Sequence, residues 1–437
     1  MIPIRVWDVS RLVILLLGAS CAPRATSMSS ELLHQTKGEV AAHQVLRDGY
    51  DCDGDGVRDF AIGSPDWPPM MAMDSGGFEH RRGKVVLYSG STLSPLVTVY
   101  GDFIGGRCGS SVEVVGDCDG DGLADLAIIQ EDMREKWCSV GLYSGCTGRL
   151  LRRIGREHLP DPQVAIVGAG GHDWSNVECN VLVAQPFAYG PLGLRQGLIV
   201  AFDAIRLQVL SESYGNHDYA QYGASLTKLH TNSGGHDSWA SLVSADPNRF
   251  TVGIYQGGRI TREYLLSEGV QLSNPQCSFS KSVGEKGTLG QRLTVACCVV
   301  NRGVSGIGRD CLYALDFESS RTELLASIPT GSDFGFSVGV ALGKDGQIMS
   351  YFVGAPAARA SLGLLYMYRV GVAQLYPTLI SSQMLSGKFG CRIIELGDCN
   401  GDGITDVAAV GEARGEHGFD VVSGVDGSTI ASVCPGP

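Results

Sequence analysis

Short apolar runs, separated by segments rich in glycine and polar residues, recur along most of the chain. Three of them are 60–65 (FAIGSP), 126–129 (LAII) and 407–411 (VAAVG). Runs of this length, bounded by turn-forming residues, are typical of β-strands. The 437 residues include 60 glycines without a collagen-like period, which indicates many tight turns. The pattern therefore predicts an all-β fold.

The runs belong to a repeat. Similar segments begin at Phe279, Phe334 and Phe389, which are 55 residues apart, and another begins at Tyr222, 57 residues before Phe279. Cys108 begins a copy two periods before Tyr222. Units of this length, each with about four strands, predict a seven-bladed β-propeller of four-stranded blades. The predicted blades are 31–101, 102–156, 157–215, 216–269, 270–329, 330–383 and 384–437.

Each unit shows the same order of elements. A first strand leads to an acidic loop or to its remnant, and a second strand follows. The third strand carries LYSG at 87–90 and 142–145, LYALD at 312–316 and LYMY at 365–368. An insertion near 64–82 accounts for the extra length of the first unit. The first strand of that unit is expected near Ala42. We interpret 170–174 (GGHDW) and 234–239 (GGHDSW) as eroded acidic loops.

The acidic loops are the strongest chemical signal. Three segments share the pattern D-x-[DN]-x-D-G-x-x-D: 51–59 (DCDGDGVRD), 117–125 (DCDGDGLAD) and 398–406 (DCNGDGITD). Acids this close repel one another, so the pattern predicts a cation, and oxygen ligands suit Ca²⁺. An EF-hand needs a glutamate at position 12, where this chain has Ile62, Ile128 and Ala409. Because strand-like runs follow, we expect each loop to join two strands of a hairpin.

Charge and composition exclude some classes of protein. The net charge is −12, so the chain has no basic footprint for nucleic acid. With 44% hydrophobic and 18% charged residues, it can bury a large core rather than remain disordered.

The N-terminus predicts export. Arg5 and Arg11 accompany the short apolar run 12–17 (LVILLL), and small residues precede Cys21. This is typical of a cleaved signal peptide over 1–20, with a linker over 21–30. The segment LLGASC also resembles a lipoprotein box, so lipidation of Cys21 and plain secretion both remain open. Either outcome places the protein in the cell envelope or outside the cell.

The chain has 14 cysteines, which suits an oxidising compartment. Their spacing defines no disulfide framework. We expect Cys52, Cys118 and Cys399, the second residues of the three loops, to be small buried hydrophobic residues. Cys138 and Cys146 flank one strand and are candidates for a bridge.

The motifs together resemble a known repeat. FGFSVG at 334–339, the acidic loops, and G-A-P at 354–356 or G-S-P at 63–65 are similar to the FG-GAP repeat of the integrin alpha-subunit head and of exported bacterial FG-GAP/VCBS proteins. The resemblance covers 31–437. It implies a seven-bladed propeller with Ca²⁺ on one rim, used for adhesion or ligand binding. The implied Ca²⁺ ligands are Asp51, Asp53, Asp55, Val57 (carbonyl) and Asp59; Asp117, Asp119, Asp121, Leu123 (carbonyl) and Asp125; and Asp398, Asn400, Asp402, Ile404 (carbonyl) and Asp406.

The loops belong to units one, two and seven, which are neighbours in a closed ring. We therefore expect the cations to stiffen the seam where the chain ends meet. A partner would then bind at the opposite rim, where tryptophan, methionine and arginine residues, which are enriched at interfaces, lie in the insertion and in 185–197. The candidates are Trp67, Met71, Phe78, Arg81, Phe187, Tyr189 and Arg195. The alternative is an insertion folded over the protein's own rim.

Two functions remain open. The first is a Ca²⁺-stabilised binding or adhesion module for a protein or glycan ligand. The second is a propeller hydrolase or lyase acting on a surface polysaccharide. Beside these two, a purely structural part in an envelope assembly also stays open. The nine histidines are scattered without a catalytic motif, and repeat inheritance explains His172 and His236, each followed by aspartate, better than a catalytic dyad does. The sequence favours the binding module.

Overall fold

The computed structural model describes a large part of the chain, and all of the described residues belong to one compact unit, 44–437. The described residues are 51–67, 81–132, 137–155, 159, 165–170, 179–186, 188–191, 196–203, 205–206, 208–215, 222–223, 226–229, 238–246, 249–256, 259–268, 277–281, 292–297, 309–316, 321–329, 332–371, 377–413 and 416–434. The predicted signal segment with Cys21, the strand near Ala42, and the parts of the two eroded loops that hold their histidines, 171–174 and 234–237, lie outside these residues.

The described residues form 27 strands in seven antiparallel sheets, numbered in chain order. Sheet 1 holds β1 Phe60–Ser64, β2 Lys84–Tyr88 and β3 Pro95–Tyr100; sheet 2 holds β4 Val112–Val115, β5 Asp125–Asp132, β6 Trp137–Tyr143 and β7 Leu150–Ile154; sheet 3 holds β8 Ala165–Gly170, β9 Cys179–Gln185, β10 Leu198–Asp203 and β11 Gln208–Tyr214. Sheet 4 holds β12 Leu226–Leu229, β13 Ser238–Asp246, β14 Arg249–Gln256 and β15 Arg259–Glu268; sheet 5 holds β16 Cys277–Lys281, β17 Arg292–Cys297, β18 Arg309–Asp316 and β19 Arg321–Pro329. Sheet 6 holds β20 Ser337–Leu342, β21 Ile348–Ala355, β22 Leu364–Arg369 and β23 Thr378–Ile380; sheet 7 holds β24 Gly387–Glu395, β25 Val407–Ala413, β26 Glu416–Val422 and β27 Thr429–Val433.

Each strand pairs with its neighbour in sequence, which is the up-and-down order of a propeller blade. The prediction of an all-β fold is confirmed. Sheet 1 has three described strands, because the strand expected before its loop lies outside the described residues. A short turn over Ala358–Ser361, in which Arg359, Ala360 and Ser361 have positive φ, connects β21 to β22. In the part of the chain that the structure describes, no helix has the length and apolar character needed to cross a membrane.

The inner strands β5 of sheet 2 and β25 of sheet 7 are buried on both faces. In β5, Leu126 and Ile128 pack into a core shared with sheet 1, while Ala127 and Ile129 pack into a core shared with sheet 3. Side chains of a strand alternate between the two faces of its sheet. A sheet covered on both sides therefore needs continuous apolar runs, and this explains LAII and VAAVG.

Sheet 7 packs against sheet 1. The Phe419 ring lies 5.2 Å from the ring of Phe60 and 5.1 Å from that of Tyr88, edge to face. Lys84 of sheet 1 pairs with Glu416 of sheet 7 at 2.7 Å. The first and last sheets of the chain are therefore joined by an aromatic core with an ion pair beside it.

The cysteine expectations are partly wrong. Cys118 is disulfide-bonded, and its side chain lies in the core between sheets 2 and 3. Cys52 is free and buried, as expected, and Cys399 is free and half-buried. The candidate bridge between Cys138 and Cys146 is not formed: neither belongs to a disulfide, and the first is buried inside the core while the second is exposed in a turn.

Candidate metal centres

Three acidic loops lie at one end of their sheets. We name 51–59 loop A, 117–125 loop B and 398–406 loop C. Loop B joins β4 to β5, and loop C joins β24 to β25, so each closes the hairpin that the sequence predicted. Loop A leads directly into β1. In sheets 1, 2 and 7, the connection between the last two strands lies at the same end of the sheet as the acidic loop.

The first aspartate of each loop organises the backbone around itself. In loop A, the Asp51 carboxylate accepts the N–H of Gly54 at 2.6 Å and that of Gly56 at 2.8 Å. Both glycines have positive φ, 81° and 82°, a conformation that only glycine adopts readily. Loops B and C repeat the two bonds. The fourth residue of the pattern therefore needs glycine as much as the sixth does.

Carboxylate oxygens cluster in loops A and B. One oxygen from each of Asp51, Asp53 and Asp59 lies within 4.8 Å of the other two, and the same holds for Asp117, Asp119 and Asp125. Loop C has Asn400 at the third position. The fifth residue stands outside the cluster: Asp55 accepts the N–H of Val57 at 2.7 Å and the hydroxyl of Ser91. The structure thus brings together three of the four carboxylates predicted for each of the first two loops.

The ninth aspartate of each loop is buried. In loop A, Asp59 accepts the N–H of Cys52 at 2.7 Å and the N–H of Gly90 at 3.0 Å, one on each carboxylate oxygen. Asp125 and Asp406 make the same two bonds. Burial raises the pKa of Asp59 to about 6, although both hydrogen bonds lower it. The pKa values of Asp125 and Asp406 are also raised to about 6 by burial. Two amide donors therefore do not fully compensate the buried charge.

The sequence analysis missed the residues that hold this aspartate. Gly90, Gly145 and Gly424 each donate their N–H to it from the turn after the third strand. A Cβ on these glycines would lie 1.9, 2.0 and 2.1 Å from the carbonyl oxygen of the eighth loop residue, so no larger residue fits. The sequence does contain a sign of this contact. A Ser-Gly pair follows the second-to-last strand in the three sheets with an acidic loop, sheets 1, 2 and 7, whereas LYALD of sheet 5 and LYMY of sheet 6 have no such pair.

The donor chemistry fits a hard divalent cation. Each loop offers carboxylate or amide side-chain oxygens together with exposed or half-buried backbone carbonyls, and Ca²⁺ takes about 6–8 oxygen ligands. The carbonyl positions proposed for Val57, Leu123 and Ile404 all lie in the outer turn of the loop. Asp51, Asp53 and Asp59 would hold the ion in loop A, and their counterparts would hold it in loops B and C.

Loop C has a different surrounding from the other two. Its Thr405 N–H donates to the carbonyl of Leu342 in sheet 6 at 2.9 Å. Next to that contact, the Lys344 ammonium lies 2.9 Å from where a Cβ on Gly403 would be. A protein cation therefore stands beside the loop that has the fewest carboxylates.

The candidate partner residues lie at the opposite end of the sheets. The Trp67 ring lies 5.1 Å from that of Tyr100, with Lys84 Nζ 5.2 Å from the Trp67 centroid. Arg81 pairs with Asp66 at 2.5 Å. The two ends of the insertion are thus joined to each other by an ion pair, and Trp67 at its start packs on Tyr100 of β3. Tyr189 is 68% exposed. The remaining candidates, Met71, Phe78, Phe187 and Arg195, lie outside the described residues.

Of the comparisons with known proteins, only the one with solved structures finds a similar protein. No protein-family model matches the chain, and no curated protein matches it. Among solved structures, the chain is similar to one described as the Dos1 propeller, with 11% identical residues and a TM-score of 0.46 over 88% of this chain and 83% of that one. The likeness concerns the fold alone.

Proposed function

We propose that this chain is an exported, Ca²⁺-stabilised, seven-bladed β-propeller of the FG-GAP kind that serves as a binding or adhesion module. The observation that carries the proposal is the threefold repetition of one loop design. In each loop the first aspartate organises the turn and the ninth is held from two sides, and in loops A and B the carboxylate oxygens converge within 4.8 Å.

The arrangement of the sheets supports a closed ring. The first strands of sheets 2 to 7 lie next to one another in order, and β1 lies against both β4 of sheet 2 and β26 of sheet 7. The ring Nδ1 of His417 donates to the carbonyl of Gly63 at 2.6 Å, and the backbone N–H of His417 donates to Ser64 Oγ at 3.2 Å. Such a ring brings sheets 7, 1 and 2, which carry the three loops, next to one another, and Ca²⁺ would stiffen that arc.

Calorimetric titration of the full chain with CaCl₂ tests the metal. We expect about three equivalents to bind, with Mg²⁺ weaker because it demands stricter geometry. Asp53→Ala, Asp119→Ala and Asn400→Ala, which change the third position of each loop, should each remove one equivalent. Asp345→Ala is the matched control, since Asp345 is an acid in the short turn of sheet 6 that lacks the loop pattern. No binding by the unmodified chain would overturn the proposal.

The ligand is proposed to be a protein or a glycan that binds at the end opposite the loops. The support is the exposed Tyr189 in sheet 3 and the ring pair of Trp67 and Tyr100 in sheet 1. A glycan array and a screen of extracellular proteins with the Ca²⁺-loaded chain would identify it. Tyr189→Ala should then weaken binding, while Leu210→Ala, an exposed residue on the outer strand of the same sheet, should not. Equal binding by both variants would exclude this surface.

A further inference from the structure

Loops A and B touch each other directly. The N–H of Ala124, the eighth residue of loop B, donates to the backbone carbonyl of Asp51, the first residue of loop A, at 2.9 Å. A Cβ on Gly54 would lie 3.6 Å from Leu123 Cδ2, so the Leu123 side chain of loop B lies next to the backbone of loop A at Gly54. Asp51 is the residue whose carboxylate organises loop A.

A second, buried link joins the same two loops. Cys52 and Ala124 belong to one core cluster between sheets 1 and 2 and are 2% and 0% exposed. Cys52 Sγ lies 3.2 Å from where a Cβ on Gly145 would be, and the Gly145 N–H holds the buried Asp125 of loop B at 3.0 Å. Since Cys52 also donates its N–H to Asp59, the two buried carboxylates are connected through a short chain of contacts.

Loop C makes the equivalent contact with a partner that has no acidic loop. Thr405 N–H donates to the Leu342 carbonyl at 2.9 Å, and the Leu342 N–H donates to Thr405 Oγ1 at 2.8 Å. The turn after Leu342 is the short GKDG segment with Lys344. Loop C thus provides an internal comparison, because its eighth residue makes the same backbone contact with a neighbouring sheet, but that sheet has no acidic loop at the contact.

We propose that loops A and B bind Ca²⁺ as a positively cooperative pair, while loop C binds independently of loop B. The inference rests on the proposed Ca²⁺ function. An ion in loop A fixes Asp51 and with it the acceptor for Ala124, and so orders the backbone between Leu123 and Asp125, two of the ligands proposed in loop B. The second ion then loses less conformational entropy on binding.

Charge repulsion between the ions opposes this effect. The outer aspartates of both loops are exposed, and interactions between exposed charges are largely screened beyond about 8 Å at physiological salt. The ordering effect should therefore prevail at 0.15 M salt. At about 0.01 M salt, where the screening length grows to about 30 Å, the cooperativity should shrink.

Calorimetric titration of full-length variants with CaCl₂ tests the coupling. A loop is silenced through its exposed side chains, with Asp53→Ala and Asp55→Ala for loop A, Asp119→Ala and Asp121→Ala for loop B, and Asn400→Ala and Asp402→Ala for loop C. The dissociation constant of loop B is compared in three proteins: loop B alone, loops A and B, and loops B and C. Circular dichroism checks that each variant folds.

We expect loop B to bind about fivefold or more tightly when loop A is intact, in the usual range for coupled sites. An intact loop C should change nothing. Linkage requires the reciprocal effect of loop B on loop A, of equal size. Cys52→Ala should reduce the coupling, whereas Cys399→Ala, at the same position of loop C, should leave it intact.

Equal constants for loop B with and without loop A would overturn the coupling while leaving the Ca²⁺ sites in place. A weaker second ion at 0.15 M salt would overturn it too. Absence of binding in the unmodified chain would instead overturn the proposed function itself, so the two failures are distinguishable.

Discussion

Gly145 donates its backbone N–H to Asp125 at 3.0 Å, and its Cα rests against the carbonyl of the residue before that aspartate. A Cβ at position 145 would lie 2.0 Å from the Ala124 oxygen. The turn that contains Gly145 therefore packs closely on the acidic loop. The same hydrogen bond and close approach recur at Gly90 of sheet 1 and Gly424 of sheet 7.

Gly145→Ala should destabilise the fold. The methyl group meets a backbone oxygen that cannot move aside alone, so overpacking of about 1–3 kcal/mol is expected. Urea denaturation of the variant measures the loss. Gly116→Ala in the same sheet is the control, because nothing lies within 4 Å of a Cβ there. Equal stabilities of the two variants would contradict the fit.

Asp125→Asn should weaken the fold even without metal. Both carboxylate oxygens accept buried N–H groups. In the variant, an amide NH₂ group replaces one oxygen, and this donor faces the N–H group that the oxygen accepted. A lost hydrogen bond to a charged group costs about 1.5–3 kcal/mol. Denaturation in the presence of a chelator isolates this effect from ion binding. Asp119→Asn, an exposed position of the same loop, should change stability by less than about 0.5 kcal/mol.

Removal of calcium should lower the unfolding temperature. An ion that binds only the folded state stabilises it by about 2.7 kcal/mol when its concentration is a hundred times the dissociation constant. Differential scanning calorimetry with CaCl₂ and with EDTA measures the shift. The triple variant Asp53→Ala, Asp119→Ala, Asn400→Ala should melt at one temperature in both solutions. An unchanged midpoint in a chain shown to bind Ca²⁺ would exclude a stabilising role.

Lys344→Gln should strengthen Ca²⁺ binding at loop C. The lysine stands beside Gly403, and its positive charge repels an entering cation. Removing it should raise the affinity of loop C roughly twofold to fivefold at low salt, as measured by titration of a chain with loops A and B silenced. High salt should erase the difference, since screening weakens interactions between exposed charges. A salt-independent gain would point to a cause other than charge.

Lys84→Met should destabilise the contact between sheets 7 and 1. Lys84 and Glu416 are 15% and 13% exposed, so Glu416 would lose its partner in a largely dry site, at a cost of about 1–3 kcal/mol. The matched control is Lys388→Met, whose pair with Glu412 at 2.6 Å is 55% and 30% exposed. Exposed pairs contribute only about 0.2–1 kcal/mol. Similar losses in the two variants would show that the Lys84 pair does not hold the junction.

The fold class was accessible from the sequence because its signals are local. Continuous apolar runs such as 126–129 reflect sheets buried on both faces, and the recurrence of Phe334 and Phe389 at one spacing reflects a repeated supersecondary unit. The first aspartate of each loop was also accessible, since its hydrogen bonds reach only residues within the loop. The count of seven blades and the closure of the ring remain proposals.

Other features were out of reach because they depend on segments distant in sequence. The disulfide of Cys118 was missed, since the spacing of cysteines does not reveal which of them face one another across a junction. The role of Gly90 was missed as well: it lies 31 residues from Asp59, and the Ser-Gly pair looks like an ordinary turn.

The β-strands, their repetition and the oxygen-rich loops are encoded locally, because period, turn residues and ligand spacing act over a few residues. The surroundings of each loop depend instead on how the sheets pack. That packing sets Ala124 of loop B against Asp51 of loop A, and it sets Lys344 against Gly403 of loop C. The physical reason is that packing between sheets joins residues far apart in the chain, so three nearly identical loops acquire different neighbours.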